Sequence, residues 1–288
     1  MNRLILGTAQ MGLDYGVNNS SGKISFENSC EILLKAFEIG IDTLDTAESY
    51  GNAHQVIGDF HKLFPNFKFK IVTKIPTHVD LDIVENKIKK YIDDLKVSYL
   101  DVLMFHSFET YQKNKHELII LTKLKNQGLI KNIGVSAYTN EQIEILLLDD
   151  EINFIQLPYN LLDNENLRGD IMYRLKEKGK IVQARSAFLQ GLFFINDIES
   201  NEVSKELLFE FNTINKIARE EGTTISNLAL SYCLNNKKID QVLMGVDSLE
   251  QLIENSKAVK YQISEKSLSK INEIKIKNIE LLNPSLWK

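Results

Sequence analysis

The feature that most constrains this chain is an eightfold alternation of short apolar runs with stretches of helical spacing. The runs fall at 4–7, 41–45, 69–74, 100–106, 132–136, 153–157, 180–184 and 239–245, and each reads as a short buried strand. Helical patterns separate them at 25–40, 53–63, 80–95, 114–126, 140–148, 165–177, 205–221 and 226–235. Each is long enough to cross back over a sheet, so the strands are expected to lie parallel. Eight such units in 288 residues, with no linker-like stretch, predict a single α/β domain over 1–288: a closed (β/α)8 TIM barrel. The competing fold, an open Rossmann-type sheet, lacks the G-x-G-x-x-G that should follow its first strand. Extra C-terminal helices are expected at 248–259 and 264–277. The tail beyond leaves the helical pattern at Pro284 and carries the only tryptophan, Trp287.

Hydrophobic content of 43% and charged content of 25% sit in the range of globular proteins, and a net charge of −5 without a basic stripe argues against a nucleic-acid partner. Cys30 and Cys233 are too few and too isolated for a disulfide framework, and each lies in an apolar helical pattern. The sequence enters a strand directly after Met1-Asn2-Arg3, which leaves no room for a signal peptide. No apolar run approaches the roughly 18 residues of a membrane span. A cytoplasmic protein acting on a small molecule, with no membrane partner, is the expectation. His54 and His61 lie about two turns apart with no carboxylate at ligand spacing, so no metal is expected there.

Barrels of this kind carry their active face at the C-terminal strand ends. That rule gathers Asp45, Lys74, His106, Ser136, Gln156 and Arg185 around one mouth, with Tyr50 on the loop after Asp45. An unperturbed phenol titrates near a pKa of about 10, too high for easy proton donation. A neighbouring ammonium lowers that value, and a carboxylate holds the ammonium in place. Tyr50, Lys74 and Asp45 supply these three parts, while His106 is placed to orient a carbonyl oxygen. Taken singly, Asp45 with Lys74 also reads as a structural ion pair, Tyr50 as rim packing and His106 as a core histidine. All four at strand ends of consecutive units point to chemistry. Such a set hands a proton to a carbonyl while hydride arrives from elsewhere. The glycines of the first loop, Gly12, Gly16 and Gly22, suggest backbone that comes close to a ligand.

The motif Leu44-Asp45-Thr46-Ala47-Glu48-Ser49-Tyr50-Gly51 resembles the most specific signature of the aldo-keto reductases. Val72-Thr73-Lys74, Met104-Phe105-His106, Ile133-Gly134-Val135-Ser136 and Ile155-Gln156-Leu157-Pro158-Tyr159-Asn160 extend the resemblance along nearly the whole chain. It implies an NADP(H)-linked reductase of an aldehyde or ketone, with Tyr50 as proton donor. Ser136 and Gln156 would hold the nicotinamide carboxamide, and Gly245, Asp247, Ser248, Gln251 and Asn255 would bind the adenosine end. Gly7, Thr8, Arg185 and Ser186 complete the expected cofactor set. Tyr15, Phe108, Tyr159 and Trp287 are expected near the substrate mouth.

Two departures qualify the transfer. The family usually has Asn after the serine of the fifth unit, and here Ala137 stands there. A tyrosine commonly ends the seventh strand and stacks on the nicotinamide, where this chain has Arg185. Arg185 therefore either favours the reduced cofactor or anchors an anionic group. In the adenosine segment, Asp247 would repel a 2′-phosphate and suit a ribose hydroxyl, so NAD(H) competes with the family default, NADP(H). The first loop and 185–191 also resemble a bacterial subset associated with sugar metabolism, which puts a polyol or sugar aldehyde among the candidate substrates. Two other functions compete. One is a cofactor-binding sensor or regulatory barrel with slow turnover, and the other is a lyase that uses Lys74 as a Schiff base.

Overall fold

In the computed structural model, which describes residues 2–17, 19, 22–76, 81–195 and 201–287, the apolar runs become β-strands. These are β1 (Leu4–Gly7), β2 (Thr43–Asp45), β3 (Lys70–Ile75), β4 (Leu100–Phe105), β5 (Ile130–Ser136), β6 (Phe154–Pro158), β7 (Ile181–Arg185) and β8 (Gln241–Met244). Consecutive strands pair in parallel and β8 pairs with β1, so the sheet closes into a (β/α)8 TIM barrel.

Because side chains alternate along a strand, each strand divides its residues between the barrel interior and the helices outside. Val72, Val102, Met104 and Phe154 form a separate buried cluster, the apolar plug of the barrel. Ile71, Ile75, Leu103, Ile133, Ile155 and Val182 belong to the larger core shared with the helices. Two residues beyond Val72 and Phe154 on their strands come Lys74 and Gln156, which the same alternation sends inward at the C-terminal end. A polar layer thus caps an apolar plug.

The helices are α1 (Ala9–Gly12), α2 (Phe26–Glu38), α3 (Ala53–Leu63), α4 (Leu81–Asp94), α5 (Phe108–Asn114), α6 (Leu118–Asn126), α7 (Asn140–Leu147), α8 (Glu165–Glu177), α9 (Glu202–Glu206), α10 (Leu208–Glu221), α11 (Ile225–Asn235), α12 (Leu249–Ser256) and α13 (Glu265–Asn272). Asp80, the expected start of the helix before β4, lies outside the described residues. The helix expected over 114–126 is broken into α5, a 3-10 turn at Lys115–Glu117, and α6. Ser107 starts α5 directly after β4 by accepting from the Thr110 N–H at 3.1 Å. α13 stops short of its expected end, and Asn164 Nδ2 donates to the Ile271 and Ile274 carbonyls at 2.8 and 3.0 Å. No helix among the described residues is long and apolar enough to cross a membrane.

Candidate active site

β2 is only three residues long, and its last member, Asp45, is wholly buried at the barrel mouth. Register carries the site around the sheet: Asp45 lies beside Val72, Lys74 beside Met104, and Ser136 beside Gln156. Lys74, 2% exposed, forms an ion pair with Asp45 Oδ1 and donates to the Thr46 carbonyl at 3.0 Å. The other Asp45 oxygen accepts from Gln156 Nε2 at 2.9 Å. Lys74 Nζ stands 3.4 Å from the Tyr50 hydroxyl and 5.0 Å from the centroid of its ring. The His106 ring meets Tyr50 edge-on with centroids 5.9 Å apart, and its Nδ1 faces Ser49 Oγ at 3.3 Å.

Electrostatics sharpen these roles. Burial drives the Tyr50 phenol above its usual range; Lys74 opposes that rise and Asp45 adds to it. The ammonium effect expected from sequence is present but outweighed by loss of water. Burial alone disfavours the Lys74 ammonium, but Asp45 and Tyr50 more than reverse this and raise its pKa. Burial, with Lys74 and Arg185 adding to it, pushes His106 down to about 4, so its ring is neutral near pH 7. Tyr50 is therefore a protonated phenol beside a fixed positive charge.

Asp45, Tyr50, Lys74 and His106 share a cavity of about 600 Å³ with Gly7, Thr8, Tyr15, Ser136, Gln156, Arg185, Ser186 and Gly245. That volume suits a small-molecule site. Thr8 Oγ1 is tied to the Asp45 carbonyl at 3.1 Å. Gln156 spends its Nε2 on Asp45 and on Gln183 Oε1, so its Oε1 remains an acceptor. Ser136 Oγ accepts from Arg185 Nε at 3.2 Å and keeps its own proton to donate. One acceptor and one donor side by side complement a primary amide.

An adjoining cavity of about 300 Å³ is lined by Gly245, Asp247, Gln251 and Asn255, and shares Phe188, Gln190 and Gly191 with the first. Its charged lining residues among those described are Asp247 and Glu254. Asp247 Oδ1 is buried without a hydrogen-bond partner.

Several expected site residues face elsewhere. Phe108 begins α5 and packs in the core against Tyr111, with centroids 5.9 Å apart. Tyr159 is buried and stacks on Tyr232 at 5.2 Å. Trp287 packs against the core and its Nε1 donates to the Leu281 carbonyl at 3.0 Å, while Asn283, Ser285 and Leu286 of the same tail line the cavity. Ser248 caps α12 through the Gln251 N–H at 3.3 Å and is not among the residues lining the adjoining cavity. His54 and His61 are spent on Thr73 Oγ1 and on the Leu95 carbonyl, both at 2.8 Å. Gly12 comes close to the chain's own Tyr50–Gly51 turn: a Cβ there would sit 1.8 Å from the Tyr50 carbonyl oxygen.

The sequence reading missed Tyr138, Gln142 and Gln190 on the main cavity wall and Glu254 on the second. Tyr138 and Glu254 were within reach, lying two residues after Ser136 and one before Asn255. Nothing local marks Gln190, whose backbone is left-handed at φ 54°.

A family model described as the aldo/keto reductase family matches residues 3–276. The chain is 26% identical to L-galactose dehydrogenase of Arabidopsis thaliana, across 83% of this chain and 80% of that protein. It is 22% identical to the NADH-specific methylglyoxal reductase of Escherichia coli (strain K12), across 95% and 94%. Among solved structures, the holo form of the aldo-keto reductase AKR11C1 from Bacillus halodurans shares the fold with a TM-score of 0.77 at 21% identity, covering 95% of this chain and 92% of that one.

Proposed function

Since this chain belongs to the aldo/keto reductase family of NAD(P)H-dependent oxidoreductases, we propose that it reduces a small aldehyde or ketone with Tyr50 as the proton donor. The observation that carries this reading is the Tyr50 hydroxyl 3.4 Å from a Lys74 ammonium that Asp45 clamps from behind. As negative charge grows on a substrate carbonyl oxygen, the Tyr50 proton passes to it, and the phenolate left behind is stabilised by Lys74. His106, neutral and with Nδ1 against Ser49, presents Nε2 to hold that oxygen in place. Asp45 keeps the Lys74 amine charged and aimed. Apolar Val72, Met104 and Phe154 close the barrel beneath, so water does not reach the ion pair from below.

The residues fit a nicotinamide cofactor. Ser136 and Gln156 offer the donor and acceptor that a carboxamide requires, and the unpartnered Asp247 oxygen lacks a hydroxyl donor of the kind a ribose supplies. Bound there, the reduced cofactor supplies hydride. With two carboxylates and no cation among its described lining, the second cavity disfavours a 2′-phosphate, and we assign NAD(H) over NADP(H). The E. coli relative is named as NADH-specific and the Arabidopsis one as acting on an aldose, which makes methylglyoxal and aldoses the first substrates to try.

The test is NADH oxidation with methylglyoxal and a panel of aldoses, with NADPH run in parallel. Tyr50→Phe keeps the ring and removes the proton, so kcat should fall by about 10²–10⁴. NADH should exceed NADPH in kcat/KM. Undiminished turnover by the phenylalanine variant removes Tyr50 as donor, and equal or better use of NADPH removes the Asp247 argument.

A further inference from the structure

Arg185 is the one cation among the described residues lining the main cavity to which this mechanism gives no task. Asp45 and Lys74 neutralise each other in a buried pair, and His106 is uncharged near pH 7. Glu109, on the outer wall, is exposed and accepts from Gln142 Nε2 at 3.2 Å. Arg185 has no carboxylate within ion-pair distance among the described residues. Its acceptors are neutral: Ser136 Oγ at 3.2 Å, Ser186 Oγ at 3.2 Å and the Ala137 carbonyl at 3.4 Å. One face of the guanidinium lies 3.9 Å from the centre of the Tyr138 ring.

The charge is also held rigidly. Three hydrogen bonds and a ring face leave the guanidinium little freedom. The loop that follows is fixed by left-handed backbone at Ser186, Leu189 and Gln190, with φ of 58°, 47° and 54°. Branched or polar side chains adopt that region only where surrounding packing enforces it, often beside a working site. A fixed cation cannot swing away when a second positive charge arrives, and at a half-buried site the two repel more strongly than in bulk water.

Ser136 links this cation to the cofactor. It is bonded to Arg185 and, on the reading above, would hold one side of the nicotinamide amide. The nicotinamide ring is neutral when reduced and cationic when oxidised. We propose that Arg185, stacked on Tyr138 and bonded to Ser136, discriminates between the two redox forms, accepting the neutral ring and repelling the cationic one. The consequence is directional: the enzyme fills with reduced cofactor and expels the oxidised product, which favours carbonyl reduction over alcohol oxidation. The inference rests on the cofactor placement under Proposed function.

Calorimetric dissociation constants for NADH and NAD⁺ test it without turnover, on the wild type, Arg185→Gln and Arg185→Lys. The wild type should bind NADH at least about tenfold more tightly, equivalent to roughly 30 mV in the two-electron potential of the bound cofactor. Arg185→Gln should lose most of that preference, chiefly by tightening NAD⁺, and Arg185→Lys should retain it. Equal affinities in the wild type overturn the inference whether or not the variants fold, as does an unchanged ratio in Arg185→Gln. An unchanged ratio with a raised KM confined to carboxylate-bearing carbonyls also overturns it and makes Arg185 an anion anchor. If wild-type protein binds neither form, the cofactor site itself is wrong, and this inference falls with it.

Discussion

At the residue scale, the site is made by desolvation as much as by charge. His54 and His106 both sit near pKa 4, in each case chiefly through burial. An imidazole whose folded pKa is depressed keeps its contribution to stability above its ordinary value and loses it as pH falls. The unfolded chain takes up the proton first, so the loss accumulates between about pH 6.5 and pH 4. His54 is 9% exposed and bonded to Thr73, which precedes Lys74, so its protonation would strain the strand that carries the ammonium. Thermal unfolding of wild type and His54→Asn at pH 6.5 and 4.5 should show a smaller acid-induced drop in Tm for the variant. Equal drops would show that this histidine is not held neutral by the fold.

At the element scale, the short β2 cannot position Tyr50 by itself, because the tyrosine lies beyond the strand on a turn. The turn is set by α1. Gly12 faces Gly51, where a Cβ would come 2.3 Å from the Gly12 carbonyl oxygen, and Gly51 has a left-handed φ of 55°. Two backbones touch here, and neither has a flexible side chain that could yield. Gly12→Ala should therefore displace the Tyr50 turn while leaving the barrel closed, since α1 is a four-residue helix outside the strand ladder. Misplacing a reacting group by about 1 Å can cost on the order of 10² in rate. We expect kcat to fall by that order with the far-ultraviolet spectrum of the wild type. Near-normal kcat would show that the turn is positioned by something other than this contact.

At the scale of the whole molecule, closure of the barrel brings distant segments to one cavity, and the tail contributes last. Leu282 is buried and anchors the tail to the core, and Asn283, Ser285 and Leu286 reach the cavity rim. Removing residues 283–288 keeps Leu282 but also takes away Trp287, which packs against the core, so Tm should fall modestly while KM for the carbonyl rises several-fold. A large loss of Tm with unchanged KM would reverse the assignment of the tail from substrate rim to structural brace.

The periodic features of this protein were legible in one dimension. A strand alternates every two residues and a helix about every four, so eight repeats of that pattern specified a barrel, and strand ends marked Asp45, Lys74 and His106 for its mouth. The Tyr50 signature is likewise a local string. The aim of isolated side chains was decided only in three dimensions. Tyr15 faces the cavity, while Phe108, Tyr159 and Trp287 pack into the core, because the partner that each aromatic ring finds comes from another element. The same holds for the seat of Arg185 on Tyr138, which joins the end of β7 to the loop after β5. Spacing along the chain encodes which face a residue occupies, but contacts between residues far apart in sequence encode what that face meets.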